Sequence, residues 1–173
     1  MWLALAAAAA PVVWATPPVA LHSDGVGAFR LGALLVGAAQ QVARIDRAAL
    51  QIGPGCDERE QSVVSVAVAG VPATVMAMAD AQGRIGEVVA SVPHQGAVVD
   101  WSACQERAQR WVRALAPRLG NGHTEPAAPR GAATLATTRF SPQAWLEARW
   151  FAGGRSCDLS LHFVRASAQA PTR

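Results

Sequence analysis

The sequence predicts an α+β protein: two units in the manner of a pseudo-repeat, each one helix followed by a three-stranded antiparallel sheet, behind an N-terminal signal peptide. Three observations lead there. An uncharged apolar run opens the chain and ends within residues 1–15. Two later stretches carry apolar residues at helical spacing. Each is followed by three runs of β-forming residues separated by Gly, Pro and Asp turns.

The opening run reads Met-Trp-Leu-Ala-Leu, five alanines, then Pro-Val-Val-Trp-Ala. A bilayer-spanning helix needs about 20 apolar residues, and Pro11 would interrupt one here. Val13 and Ala15 are small residues at the third and first places before a cleavage point at Thr16, which Pro17-Pro18 follows as a turn. No Arg or Lys precedes the run, so the terminal amine alone supplies its positive charge. No cysteine lies at the cleavage point to take a lipid. Export with removal of residues 1–15 is expected, with retention as a membrane anchor the alternative.

Residues 22–95 form the first expected half. Ser23-Asp24-Gly25-Val26-Gly27 is rich in turn formers. From 31 to 50, Leu34, Leu35, Ala38, Val42, Ile45 and Ala49 define one helix face, and Gly53-Pro54-Gly55 ends it. Strands are predicted at 62–69, 73–79 and 84–92. Asp80 and Gly83 suit the first and fourth places of a type I turn leading into a Gly bulge.

Residues 99–165 form the second half. Asp100 is the expected N-cap of a helix whose stripe is Trp101, Cys104, Ala108, Trp111, Val112 and Leu115, ended by Pro117 and Gly120. Residues 120–132, with three Gly and two Pro, read as a mobile connection. Strands are predicted at 133–140, 144–152 and 155–165, and 166–173 is expected to be a disordered tail.

The last hairpin has the sharpest local pattern. With Gly153-Gly154 as a two-residue turn, Trp150 opposes Cys157, Ala148 opposes Leu159 and Leu146 opposes Leu161, all on one apolar face with Phe163. The other face pairs Arg149 with Asp158, Glu147 with Ser160 and Trp145 with His162. A slip of one residue would set apolar against polar throughout. Cys157 then points inward, as Cys104 does from the helical stripe, whereas Cys56 sits in a polar loop. A Cys104–Cys157 disulfide with Cys56 free is therefore expected; in the chain-entropy picture it stabilises by up to about 4 kcal/mol.

Composition narrows the function classes. Apolar residues make up 51% and charged residues 16%, enough for a core and too little charge for disorder. All fifteen basic residues are Arg and the net charge is +3, which gives no nucleic-acid footprint. His22, Ser23 and Asp24 have triad residue types, but neighbours in an extended chain point apart. His94, His123 and His162 are far apart and lack metal-ligand spacing. No cofactor or metal is expected. Asp57, Glu58 and Glu60 would raise the Cys56 thiol's pKa rather than activate it.

The candidate interaction surface comprises Trp145, Phe151 and His162 on the polar face of the hairpin, together with Arg107 and Arg110, which with Arg113 make a cationic row on the second helix. Glu106 can pair with Arg110 across one turn, and Trp101 and Trp111 belong to the core stripe.

The segment Gly25-Val26-Gly27-Ala28-Phe29-Arg30-Leu31-Gly32-Ala33 resembles the opening of many uncharacterised bacterial exported proteins, where it reads roughly Gly-Ile-Gly-Pro-apolar-Arg-apolar-Gly-Met. Those are similar in architecture to β-lactamase-inhibitor-like modules, including small outer-membrane assembly lipoproteins. Ala28 and Ala33 depart from the pattern. A helix carrying a Cys bonded to a late strand also resembles their second half. The resemblance implies a non-catalytic periplasmic or secreted module that binds another envelope protein, as an inhibitor or assembly accessory does, and brings no catalytic residues. The competing reading is a small periplasmic hydrolase. A histidine with a shifted pKa, in a pocket and within reach of a serine or carboxylate, would favour the enzyme; a shallow surface would favour the module.

Overall fold

The computed structural model describes residues 16–92 and 97–165. The expected signal (1–15), the expected tail (166–173) and His94 lie outside the described residues.

Four two-residue strands come first: β1 (Pro18–Val19), β2 (Leu21–His22), β3 (Gly25–Val26) and β4 (Phe29–Arg30). Helix α1 (Leu35–Val42), a 3-10 turn at Arg47–Leu50 and β5 (Gly53–Pro54) lead to a long meander of β6 (Glu60–Val68), β7 (Val71–Ala79) and β8 (Ile85–Val92). Helix α2 (Trp101–Leu119), β9 (His123–Thr124) and β10 (Ala128–Arg130) precede a second meander of β11 (Ala133–Ser141), β12 (Ala144–Phe151) and β13 (Ser156–Val164).

The predicted pair of balanced α+β units is overturned. The described residues are mostly β, 47% strand against 21% helix. Its strands form one ten-stranded mixed sheet, in the order β1-β6-β7-β8-β13-β12-β11-β10 with β5 on β6 and β9 on β11, plus a small sheet of β2, β3 and β4. The reason lies at the sheet edges. A three-stranded unit would leave a row of unpaired N–H and C=O groups; here β8 and β13 pair antiparallel from Val92↔Leu159 to Glu87↔Val164, and the two meanders become continuous.

Three local expectations change with it. The helix predicted over 31–50 shrinks to α1, because Leu34 bridges Arg84 and the Leu35 N–H donates to the Gly83 carbonyl, tying the start to the β7–β8 turn. Asp46, extended at φ −140°, then breaks the chain and accepts the Ala48 N–H as cap of the 3-10 turn. Ile45 is consequently 46% exposed rather than part of a buried stripe. Residues 120–132 are no loose connection, since β9 and β10 both pair with β11 and Thr124 Oγ1 lies 2.8 Å from Thr138 Oγ1. The turn-rich segment after His22 builds the small sheet, where Gly25 has φ +155° and a Cβ would collide with the Phe29 carbonyl.

The β12–β13 hairpin has the expected register, from Ala144↔Phe163 to Phe151↔Ser156. Its turn differs. The loop is the four residues Ala152 to Arg155 rather than Gly153-Gly154 alone, and it is Arg155 that takes a positive φ, 46°.

Alternation assigns each long strand two faces. Val64, Val66, Val68, Ala73, Val75, Ala77, Val88, Ala90, Leu146, Leu161 and Phe163 are buried in one cluster with Leu35, Ala38, Ala39 and Val42 of α1 and Cys104, Ala108, Trp111 and Leu115 of α2. Asp100 caps α2 by accepting the Ala103 N–H at 2.9 Å. Trp111 reaches across the core, its Nε1 donating to the Val68 carbonyl at 3.3 Å. Cys104 and Cys157 are joined, pinning α2 to the start of β13, and Cys56 is free and exposed. Both helices therefore lie on one side of the sheet.

Candidate functional site

The opposite face of the same strands carries short polar side chains in a continuous row. Strand pairing lines up Ser65, Thr74, Ser91, Ser160, Glu147 and Thr137 across six strands. Beside it runs a second row of Val63, Met76, Val89, His162, Trp145 and Arg139. Neither helix covers these rows.

The two rows meet in a built cluster at β12 and β13. The Trp145 and His162 rings stack face to face, centroids 5.3 Å apart and 5° from parallel. Trp145 Nε1 donates to one Glu147 oxygen at 3.3 Å, and Arg149 donates to the other from Nε at 3.1 Å and Nη2 at 2.6 Å. His162 Nε2 lies 2.9 Å from Ser160 Oγ. Arg149 stands opposite Asp158 in the ladder as expected, yet its side chain runs along its own strand to Glu147. Residues two apart share a face, which makes that reach short.

Burial works to raise the Glu147 pKa, but hydrogen bonds from Arg149 and Trp145 and the charges of Arg149 and His162 outweigh it, holding the carboxyl below its ordinary range. Burial also holds His162 below its ordinary value; Glu147 and Glu87 pull it up, Arg149 pushes it down, and the net is downward. At neutral pH the stack is a neutral imidazole on an indole whose N–H is held by the Glu147 carboxylate.

Two shallow grooves flank the cluster, of about 590 and 440 Å³. Both are lined by Arg130, Leu135 and Glu147; the first adds Trp145 and Arg139, the second Arg149 and Phe151. With Arg165 and Glu125 in the larger groove, four guanidinium groups face two carboxylates. Arg139 pairs with Glu125 at 2.8 Å.

The structure divides the surface expected from sequence. Trp145 and His162 are in contact, and Phe151 sits farther along β12 in the second groove. Arg107 and Arg110 project from α2, on the far side of the sheet. Arg130, Arg139 and Leu135 were missed; their signal was the register of β11 against β12, which places Arg139 opposite Trp145. Of the triad residue types near the start, Asp24 is held by Arg30 at 2.7 Å. Among the described residues no group of three His, Cys, Asp or Glu is arranged to hold a metal, and no helix is long and apolar enough to cross a membrane.

Comparison with protein-family models, curated proteins and solved structures returned no match.

Proposed function

We propose that this chain is an exported, non-catalytic module that binds another envelope protein across the open face of its sheet. The partner presents an acidic surface with an apolar side chain for the Trp145–His162 stack. The observation that carries the reading is the stack itself, fixed over Glu147 and bordered by grooves in which Arg outnumbers Glu. Trp and Arg dominate protein interfaces because they combine large rigid area with directed hydrogen bonds. The neighbouring Ser and Thr row is flat and offers hydroxyl groups without bulk.

Export is supported by the Cys104–Cys157 bond, which persists in oxidising compartments, and by the apolar run at residues 1–15. N-terminal sequencing of the protein recovered outside the cytoplasm is expected to start at Thr16. An intact Met1 in the membrane fraction would overturn that part.

A second reading, a hydrolase using Ser160 and His162, is favoured by their 2.9 Å contact and the lowered His162 pKa. Two features weigh against it. Strand β13 lies inside the sheet between β8 and β12, so its N–H groups are committed to the ladder and leave no oxyanion donors beside Ser160. The Glu147 oxygens face Trp145 and Arg149, whereas a triad needs a carboxylate on the second imidazole nitrogen.

A photo-crosslinking residue at Thr137 or Ser91, on the open face, tests the binding reading against one at Arg113 on α2. In intact cells the open-face probes should give one acidic envelope partner that Arg113 does not give. Equal products from all three positions, or none from the open face, would sink the reading. Labelling of Ser160 by a fluorophosphonate would establish the hydrolase instead.

A further inference from the structure

On the helix side of the sheet, away from the proposed protein-binding face, a cavity of about 260 Å³ lies between α2, strands β11 and β12, and a lip formed by residues 124–127. Its floor is made by two neighbouring rungs of the β11–β12 ladder, Ala136 opposite Ala148 and Thr138 opposite Leu146. An alanine pair leaves depth there that a larger pair would fill. The wall is one flank of α2, with Trp101, Gln105, Gln109 and Val112 at positions i, i+4, i+8 and i+11. The lip is fixed in place: the Glu125 N–H donates to the Thr137 carbonyl at 2.8 Å, and the Thr124 and Thr138 hydroxyls lie 2.8 Å apart. The cavity thus stands ready-formed, as small-molecule sites usually do.

We infer that this cavity binds a small planar nitrogen heterocycle, its ring face on Trp101 and its edge, a hydrogen-bond donor beside an acceptor, on the amides of Gln105 and Gln109. Each part follows from residues in the lining. Trp101 is half-buried and packed against the core, so its indole offers a rigid aromatic surface to a flat ring. Gln105 and Gln109 are one turn apart and exposed, and neither amide is hydrogen-bonded to another described residue. A Gln amide sets a donor next to an acceptor, the arrangement that pairs bidentately with such an edge on adenine. The lining carboxylate, Glu125, is held by Arg139 at 2.8 Å, which favours a neutral ligand over a cation. The volume, just below the roughly 300–1,000 Å³ of drug-sized sites, limits the ligand to one or two fused rings. The aliphatic floor of Ala136, Ala148 and Leu146 suits the carbon edge of such a ring.

Calorimetric titration of the disulfide-bonded protein with 2-quinolone, a flat lactam whose ring N–H adjoins its carbonyl, tests this. One saturable site is expected. N-methyl-2-quinolone keeps the ring and the carbonyl but loses the donor, and should bind about fivefold or more weakly. The saturated δ-valerolactam keeps the edge without the aromatic face and should bind about tenfold or more weakly. Gln105→Met with Gln109→Met, at exposed positions, should weaken 2-quinolone and erase its preference over the N-methyl compound, which a general loosening of α2 would not do. Ala136→Phe, which fills the floor, should abolish binding. The absence of saturable binding, equal affinity for either control compound, or a preserved preference in the folded methionine variant would overturn the assignment. Should Ala136→Phe fail to fold, the methionine variant and the compound series decide.

Discussion

The two faces of the sheet are made by the same strands and differ in what each alternate residue contributes. On the covered face, Val64, Val75, Val88, Leu161 and Leu146 meet two helices in a single apolar cluster. On the open face, Ser65, Thr74, Ser91 and Ser160 stand in a row with Glu147 and Thr137, next to a fixed aromatic stack. A period of two thus lets one stretch of backbone serve stability and recognition independently. Substitutions on the covered face should act on folding, and those on the open face on partner binding.

The largest effect is expected from Phe163→Ala, which empties a fully buried site on the covered face. Denaturant titration should show a loss of about 3–5 kcal/mol. A loss no greater than that of an open-face substitution would erase the distinction between the faces.

Next comes the disulfide. It ties residues 53 apart in sequence, and replacing both cysteines with alanine should lower stability by about 2–4 kcal/mol. Open-face binding should survive in the folded fraction, since Trp145 and His162 lie on the other side of the sheet. Loss of binding in protein shown to be folded would mean the two faces are coupled.

Acidification sharpens the comparison within the open face. The folded pKa of His162 is lowered, so just below its ordinary value of 6.5 the unfolded chain holds more protons and stability is lost as pH falls. Glu147 is also lowered; its contribution is present above its ordinary value of 4.5 and is lost as pH falls through the folded value. A pH series of melting temperatures should show two acid phases. His162→Gln should remove the first and leave the second; persistence of both would put the titration elsewhere.

Arg149→Ala is expected to cost least, about 1 kcal/mol. Arg149 is half exposed, but the carboxylate it leaves behind, Glu147, is only 15% exposed. Its pairing with Glu147 rather than Asp158 is checked by double-mutant cycles: coupling should appear with Glu147→Gln and be absent with Asp158→Asn.

What the sequence made legible follows the range of each signal. The β12–β13 register could be read because apolar residues alternate strictly on both strands, and that alternation also turned Trp145 and His162 toward each other. The inward direction of Cys104 came from a helical stripe that the structure buries at Cys104, Ala108, Trp111 and Leu115. The joining of β8 to β13 was illegible, because it pairs strands about seventy residues apart and no local pattern encodes which edges meet. Arg139 was within reach of local reasoning, through the β11–β12 hairpin that sets it opposite Trp145, whereas Arg130 enters from β10, a strand that the Gly- and Pro-rich stretch 120–132 does not announce. The length of α1 was lost to tertiary contacts that outweigh its periodicity, the Leu34–Arg84 bridge and the Asp46 cap. At the last turn, the glycines marked the place correctly while Arg155 took the strained angle.

The division of labour between faces is tested most directly by one pair of numbers on one variant. Trp145→Ala combined with Arg139→Glu is to be measured for melting temperature and for affinity to the partner identified by crosslinking from Thr137. The account predicts a melting temperature within about 5 °C of the parent, as for substitutions outside a core, and an affinity lowered by about thirtyfold or more, the loss of a tryptophan anchor and of charge complementarity. Unchanged affinity in the folded variant would contradict it.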